Sequence, residues 1–343
     1  MSKQIVLTGI RSNDEPTLGN YIGAFKPMSD MAKKQSKDYN VHMFVPDLHS
    51  FTTPIEFGKF YERTMHNLRL FVACGLPLDN DSIFIYRQSF VPAHSELTWI
   101  LDNFTGFGEL SRMVEFKDKS TRLDTDRVSV GLFNYPVLMS ADILLYGATW
   151  VPVGEDQRQH LEFTRTIAER LNNKFNLSLV VPETIENQQK FVGRSEAPRI
   201  RSLRNPSKKM SKSIDDPAGT ILLSDTPESA SKKIMSAETD NLGKINYDWQ
   251  NQPGVTNLLA ILGALTDQPQ KSVNAEWVGK ERYGDLKKAV SDVLSNFLQD
   301  LQTKLSAVDD EALIKHLEAS ETRMNIVANE TLLTIQKAIG LRI

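Results

Sequence analysis

Lys209 and Lys212 stand three residues apart in a segment, 194–213, that carries seven basic side chains against one acid, Glu196. Two ammonium groups on one mobile loop can close over a polyphosphate and neutralise charge developing on a leaving pyrophosphate. A solvated basic linker is the plainer alternative, and the commoner one for an arbitrary basic loop. A second constellation lies near the N-terminus. An apolar run ends at Gly9, a turn follows over Arg11 to Pro16, and Thr17-Leu18-Gly19-Asn20-Tyr21-Ile22-Gly23-Ala24 opens a helix. The first strand-to-helix crossover of a parallel sheet is where ligands gather, and free N–H groups at a helix start attract phosphate. Gly19 and Gly23 would let a nucleotide base or the sheet approach closely; ordinary helix–sheet packing through small residues is the alternative. No Gly-Lys-Ser/Thr follows, nor a Gly-x-Gly-x-x-Gly, so neither a Walker loop nor a dinucleotide fingerprint is present.

Two further places concentrate chemistry. Asp142 is the one acid in the apolar stretch Tyr135-Pro-Val-Leu-Met-Ser-Ala-Asp-Ile-Leu-Leu-Tyr146. A buried carboxylate must be satisfied, by a Tyr or Trp of the core or by the N–H or O–H of an aromatic substrate. Met139, about one turn earlier on the same face, would lie against such a ring. In Val151-Pro-Val-Gly154-Glu155-Asp156-Gln157 an apolar strand end meets a glycine, two acids and an amide. That set suits a ribose diol or an ammonium group, and equally a helix cap with acids in its first turn.

The elements that must carry these residues are legible in outline. Apolar runs at 5–7, 41–45, 82–86 and 177–181 read as strands, the second and fourth stopped by Pro46 and Pro182. Helical spacing marks 61–74, ended by Gly75 and Pro77, and 156–175. Strand and helix alternating in this way predict an α/β, Rossmann-like doubly wound parallel sheet. From about residue 217 the pattern becomes all-helical. Thr226 and Pro227 form a capped helix start, Leu286 to Leu305 make one long helix and 325–341 another, with no strand beyond Leu223. The expected organisation is a catalytic α/β domain over 1–205, with an insertion at about 95–150, a loop at 206–216 and a helical domain over 217–343.

Composition narrows the class. The 343 residues carry 40 Lys+Arg and 43 Asp+Glu, a net charge of −3, so any nucleic acid must be held by a local patch. A single cysteine, Cys74, excludes an intrachain disulfide and a Cys-rich metal framework, and suits a reducing cytoplasm. The N-terminal apolar run is too short for a signal peptide. The most apolar stretch holds Asp142, so no membrane span is expected.

Taken in order, these segments resemble one family. Lys209-Met210-Ser211-Lys212-Ser213 matches the KMSKS signature of class I aminoacyl-tRNA synthetases, and Thr17-Leu18-Gly19-Asn20 stands where that class carries its His-Ile-Gly-His element. GELSRMVEFKDKS, NYPVLMSADILLY, VPVGEDQRQH and NPSKKMSKS together resemble the bacterial tryptophanyl-tRNA synthetases, from Ile5 nearly to the C-terminus. The resemblance implies activation of L-tryptophan by ATP and transfer to tRNA(Trp). It assigns Thr17, Gly19 and Asn20 to ATP, Gly154, Glu155 and Asp156 to its ribose side, and the Ile200 backbone to adenine. Lys209, Met210, Ser211, Lys212 and Ser213, with Lys119, would hold the phosphates and the pyrophosphate. Asp142 would accept the indole N–H beside Met139, Tyr135 and Gln157 would bind the amino group, and Leu7, His49, Val151 and Val153 would complete the tryptophan pocket. Mg2+ would travel with ATP, with no dedicated metal site in the protein. One departure stands out. Where many members have Gly-Ile-Gln-Pro-Ser-Gly, this chain has Gly9-Ile10-Arg11-Ser12-Asn13-Asp14. Arg11, with Ser12 and Asn13, would then meet ATP with a fixed charge in place of the glutamine.

Three alternatives remain at this level: a tyrosyl-tRNA synthetase, whose phenol Asp142 could also accept; a non-catalytic tRNA- or amino-acid-binding paralogue; and a generic nucleotidylyltransferase. The family and the apolar residues Trp99, Leu101, Phe104, Phe107 and Leu132 imply a homodimer. The helical region, assigned to the tRNA anticodon, is not basic: from Pro217 it has 13 Lys+Arg against 17 Asp+Glu.

Overall fold

Three apolar runs, buried on both faces as parallel strands must be, form the sheet: β1 (Ile5–Gly9), β2 (Asn40–Val45) and β3 (Ile83–Arg87), all parallel, in the order β1-β2-β3. The computed structural model describes residues 3–10, 15–52, 55–121, 128–154, 157–192, 199–211 and 216–343. On the free side of β1, Trp150 makes a single parallel bridge to Val6; Leu7 N donates to its carbonyl (2.8 Å) and its own N–H reaches Ile5 O (3.0 Å). Strand order therefore reverses at β1. The crevice between its end at Gly9 and the run from Val151 to Gly154 is the switch point at which doubly wound sheets bind ligands.

The strand expected at 177–181 is not in this sheet. α9 (Arg158–Phe175) ends on Asn176 in a left-handed conformation (φ 53°), and the chain then runs back beside the helix. There the Asn172 side chain accepts from Leu179 N and donates to Leu179 O, at 2.8 and 2.9 Å. A side-chain amide thus replaces the neighbouring strand, and Trp150 takes the fourth position in the sheet. α9 also starts two residues later than the pattern predicts, with Gln157 as its cap.

Two apolar cores flank the sheet. The first gathers Val6, Val41, Ile83 and α4 (Phe60–Ala73) with Ile200, Met210 and the helices α11 (Pro227–Met235), α12 (Pro253–Thr266), α13 (Gln270–Trp277) and α14 (Tyr283–Ser306). The second gathers Leu7, Phe44 and Tyr86 with α5 (Ala93–Asp102), α8 (Val130–Leu144) and α9. α8 is apolar almost all round, the mark of a helix that runs through a core.

The last helix is longer than its strongest periodicity suggests. α15 runs over Asp310–Ala338 and contributes Leu313 and Leu317 to the first core, then Met324, Ala328, Leu332 and Ile335 to the second. It lies along the open edge of β3. Ile85 N donates to Ser320 Oγ (3.3 Å) and Arg87 N to Glu321 Oε1 (3.2 Å), so edge donors that would invite another strand are taken by a helix. The Arg87 guanidinium forks onto Glu321 at 2.6 and 2.8 Å, both side chains buried. The helical region that begins near residue 217 is therefore not packed apart from the α/β layers. Among the described residues no helix is long and apolar enough to cross a membrane.

Candidate active site

Asp142, on α8, is 1% exposed and receives three donors from three other elements. Gln88, in the turn that ends β3, gives its Nε2 to Oδ1 at 2.7 Å, and His94, on α5, gives Nδ1 to the same oxygen at 2.6 Å. His49, on α3 (Asp47–Ser50), meets Oδ2 with Nε2 at 2.8 Å. Burial alone would raise this carboxyl; the hydrogen bonds from His49 and His94 outweigh it and hold the group down to about 2. The partner expected from the core was a Tyr or Trp. The protein instead uses two imidazoles and an amide, and Gln88 and His94 were not picked out from the sequence. Each stands about 50 positions from Asp142 among other polar residues, and the one local sign is that Gln88 directly follows a buried strand.

The two oxygens differ in surroundings. Gln88 and His94 are fully buried, and Gln88 is locked at its other end, where Oε1 accepts from Leu48 N (3.2 Å). His49 alone of the three is partly exposed, at 19%. Oδ2 is thus the oxygen whose partner has accessible surface, and the His49 ring lies against that of Tyr135, centroid to centroid 6.2 Å.

Tyr135 and Gln157, paired by expectation, are joined through a residue not foreseen. Tyr135 Oη meets His160 Nε2 at 2.9 Å, and His160 Nδ1 meets Gln157 Oε1 at 3.0 Å, with His160 buried. Pro136 inside α8 follows Tyr135 directly. Leu7 and Val151 are buried in the second core, and Met139 and Val153 pack on its margin. The residues expected around tryptophan therefore converge on the switch-point side of the sheet.

The other end of the crevice is built from backbone. Thr17 caps α1 (Leu18–Asn20), which continues through a π-helical turn (Tyr21–Phe25) into α2 (Lys26–Gln35). Thr17 N and Oγ1 both donate to Asn20 Oδ1 at 2.9 Å, and Asn20 N returns to Thr17 Oγ1 at 3.2 Å. The expected row of free N–H groups is partly occupied: Leu18 N donates to Ile221 O (2.9 Å), because the chain after the basic loop pairs back on residues 16–18. A Cβ on Gly19 would sit 3.7 Å from the Cβ atoms of Ile200 and Met210, an ordinary contact, whereas one on Gly23 would touch nothing within 4 Å. Gly23 is therefore not a packing glycine.

Lys209 lies on a hairpin, not a free loop. Arg201 and Lys209 bridge antiparallel, Met210 N donates to Ile200 O (3.0 Å) and Ser202 N to Lys208 O (2.9 Å). Ile200 and Met210 are buried in the first core, Met210 against Gly19, and the Ile200 carbonyl is engaged within the hairpin. Asn257 of α12 clasps Arg201 by its backbone N–H and C=O, at 2.8 and 2.9 Å. Arg11, Ser12, Asn13, Glu155, Asp156, Lys212 and Ser213 lie outside the described residues, as does the side chain of Lys119 on α7 (Val114–Thr121). Gly154 is described and exposed. Of the apolar residues expected at a dimer face, Leu101 belongs to the second core, Phe104 packs on it and Leu132 is buried, while Trp99 and Phe107 are exposed.

The model of class I tRNA synthetases (W and Y) matches residues 2–299. The chain belongs to that family. Over its length the synthetase is 45% identical to a tryptophan–tRNA ligase of Corynebacterium glutamicum, with 98% of this chain and 94% of the relative covered. A tryptophan–tRNA ligase of Caldanaerobacter subterraneus subsp. tengcongensis is 40% identical, with 98% of each covered. In three dimensions it resembles tryptophanyl-tRNA synthetase from Mycoplasma pneumoniae (TM-score 0.81, 33% identity, 99% of this chain and 98% of that one). The Campylobacter jejuni enzyme, solved with ADP and tryptophan, follows at TM-score 0.79, 30% identity, and 98% and 100% coverage. A tyrosyl-tRNA synthetase from Aeropyrum pernix shares the fold at TM-score 0.66 and 17% identity, over 94% of this chain and 90% of that one.

Proposed function

We infer that the protein is a tryptophan–tRNA ligase: it activates L-tryptophan with ATP, releasing pyrophosphate, and passes the tryptophanyl group to tRNA(Trp). The observation that carries the amino-acid assignment is Asp142. Its Oδ1 takes two buried donors, and its Oδ2 has, among the described residues, a single, partly exposed partner. Indole offers one N–H in the plane of its ring, and the anion can take it at Oδ2 with His49 moving aside or sharing. Phenylalanine has no such donor, and a site made to accept a hydrogen bond rejects an analogue lacking it by about 10⁴–10⁵. The relatives above 40% identity carry the tryptophan name, whereas the tyrosyl likeness extends to the fold alone.

In this reading Tyr135 and Gln157, joined through His160, orient the amino group. Leu7, Met139, Val151 and Val153 surround the ring. The carboxylate of tryptophan attacks the α-phosphorus in line, a reaction that asks for positioning and charge stabilisation and for no protein nucleophile. Thr17, Gly19, Asn20 and Ile200 receive ATP. Lys209 and Ser211, with Lys119, Lys212 and Ser213, hold the pyrophosphate as it leaves; Arg11, Ser12 and Asn13 reach the α-phosphate side; Gly154, Glu155 and Asp156 take the ribose. Mg2+ travels on the phosphate oxygens of ATP in this reading.

The anticodon falls to the helices from residue 217. Their excess of acid over base, 17 to 13, makes hydrogen bonding and stacking the means of recognition. The exposed Trp99, Phe107 and Val130 form the apolar face of a homodimer. Cys74, its thiol pushed up to about 12 by burial, suits a reducing cytoplasm. ATP–pyrophosphate exchange driven by tryptophan, tyrosine or phenylalanine tests the assignment. Exchange with tryptophan alone is expected; equal exchange with tyrosine overturns it.

A further inference from the structure

Behind Asp142 a second polar layer has no contact with the accessible side. His94 is 0% exposed. Its Nδ1 lies 2.6 Å from Asp142 Oδ1 and its Nε2 lies 2.8 Å from Oη of Tyr146, in the turn just past the end of α8. A carboxylate only accepts, so Nδ1 carries a hydrogen, and in the neutral ring Nε2 must then accept. Tyr146 is buried, and burial together with the nearby Asp142 charge pushes its hydroxyl well above the ordinary tyrosine range, so it keeps its proton. It donates to Nε2 and so fixes the tautomer.

The direction of these bonds matters for the carboxylate. The terminal torsion of an aspartate is broad and turns easily. Gln88 and His94 both grip Oδ1, from β3 and from α5, and together they fix the plane of the group. With Oδ1 fixed, Oδ2 has one direction left, toward His49 and the accessible side.

We propose that His94 is a positioning residue for tryptophan selection: its Nδ1, set by Tyr146 behind it, holds Asp142 Oδ1 so that Oδ2 is presented to the indole N–H. The proposal rests on the assignment of Asp142 as the indole acceptor. It makes a claim about geometry that a plain core histidine would not meet, namely that what matters is a donor at the Nδ1 position and not the ring.

The test compares tryptophan with β-(3-benzothienyl)alanine, which has the same bicyclic shape with sulfur in place of the N–H. The readout is the ratio of kcat/KM for the two amino acids in ATP–pyrophosphate exchange. His94→Asn places an amide N–H where Nδ1 stands, and His94→Gln moves it toward the Nε2 position. The parent ratio is expected to survive largely in His94→Asn and to fall at least tenfold in His94→Gln, through the KM for tryptophan, with the KM for ATP unchanged. Tyr146→Phe, which keeps the ring and loses only the hydrogen given to Nε2, is expected to lower the ratio severalfold, and it keeps the question open to measurement if His94→Gln fails to fold. A parent-like ratio in His94→Gln or, should that variant not fold, in Tyr146→Phe, overturns the proposal. If the parent itself does not prefer tryptophan, the Asp142 assignment has failed and the proposal with it, so the parent ratio separates the two failures.

Discussion

At the Asp142 end of the crevice, α3, α5, α8 and the turn after β3 each send a side chain inward, and the contacts are side chain to side chain. At the Thr17–Lys209 end the contacts are mostly backbone: a capped helix start, a hairpin from Ile200 to Met210, and the return of residues 220–223 onto 16–18. The difference matches the two ligands of the proposed reaction. A neutral ring with one N–H must be told from similar rings, which requires a donor or acceptor fixed to a fraction of an ångström in a dry place. A polyphosphate announces itself by charge, and lysines on long flexible stems can follow that charge as it moves from α-phosphate to leaving group.

Exchanging a charge at the rigid end should therefore cost most. Asp142→Asn keeps the shape but leaves His94 and His49 facing a neutral amide, one half of which can only donate. Discharging one partner of a buried hydrogen-bonded group costs about 4 kcal/mol, or roughly a thousandfold in rate. The loss is expected in kcat/KM for tryptophan, with the KM for ATP near that of the parent; steady-state exchange at varied tryptophan and varied ATP distinguishes the two. If Asp142→Asn activates tryptophan as well as the parent does, the carboxylate is a core residue and the ring is read elsewhere.

At the other end, Lys209→Ala should behave in the opposite sense. Losing one transition-state contact to developing charge costs roughly 3 kcal/mol, or about a hundredfold. That loss should appear in kcat of activation while tryptophan binding, followed by intrinsic fluorescence, stays close to the parent. A fall in tryptophan affinity of the same size would erase the distinction between the two ends.

The sequence carried the two ends unequally as well. The end proposed for the phosphates stood out because its residues are contiguous: Thr17 to Asn20 and Lys209 to Ser213 each sit within a few positions, and composition alone marked the basic segment. At the other end the residues themselves pointed to Asp142, where an acid in an apolar helix demands a partner, and to Met139 beside it, while Tyr135, Gln157, His49 and the apolar lining came from the family resemblance. The partners themselves, Gln88 and His94, and the link through His160, are brought in by packing of separate elements, and a single histidine in a helix carries no mark of what it will face. The same limit explains the strand expected at 177–181. An apolar run predicts burial, but whether a sheet edge or the side chain of Asn172 takes its backbone groups is settled in three dimensions. The edge cover of β3 by α15 is a tertiary event of the same kind, between residues 234 and 235 positions apart in sequence.

That cover touches the rigid end, because Arg87 directly precedes Gln88. Glu321→Gln keeps an acceptor for Arg87 N but leaves the buried guanidinium without its counter-charge. Breaking such a pair costs about 3 kcal/mol of stability at the low end. The melting temperature should fall by several degrees, while exchange activity at 25 °C drops only a few-fold and in the tryptophan KM before the ATP KM. A parent-like melting temperature would mean that the ion pair is offset by its own desolvation, and that α15 holds the sheet edge by its apolar contacts.

The smallest effect on activity is expected at His42, in β2. Its imidazole is buried edge-on against Phe84 and Tyr146, its Nδ1 has no hydrogen-bond partner among the described residues, and burial lowers its pKa to about 3. In the unfolded chain the same group titrates near 6.5. Between these two values the unfolded chain binds a proton that the folded chain does not, so stability falls as pH drops from about 6.5 toward 3. At pH 4.5 the deficit is roughly 3 kcal/mol, two pH units at 1.36 kcal/mol each. Asp142, held down to about 2, adds its own loss only below about 4. His42→Phe keeps an aromatic edge for both neighbours and removes the titration. It should leave exchange near the parent rate at neutral pH and make the drop in melting temperature between pH 7 and pH 4.5 distinctly smaller than in the parent. An unchanged drop would mean that His42 protonates in the folded protein, and that acid sensitivity resides in other groups than this buried ring.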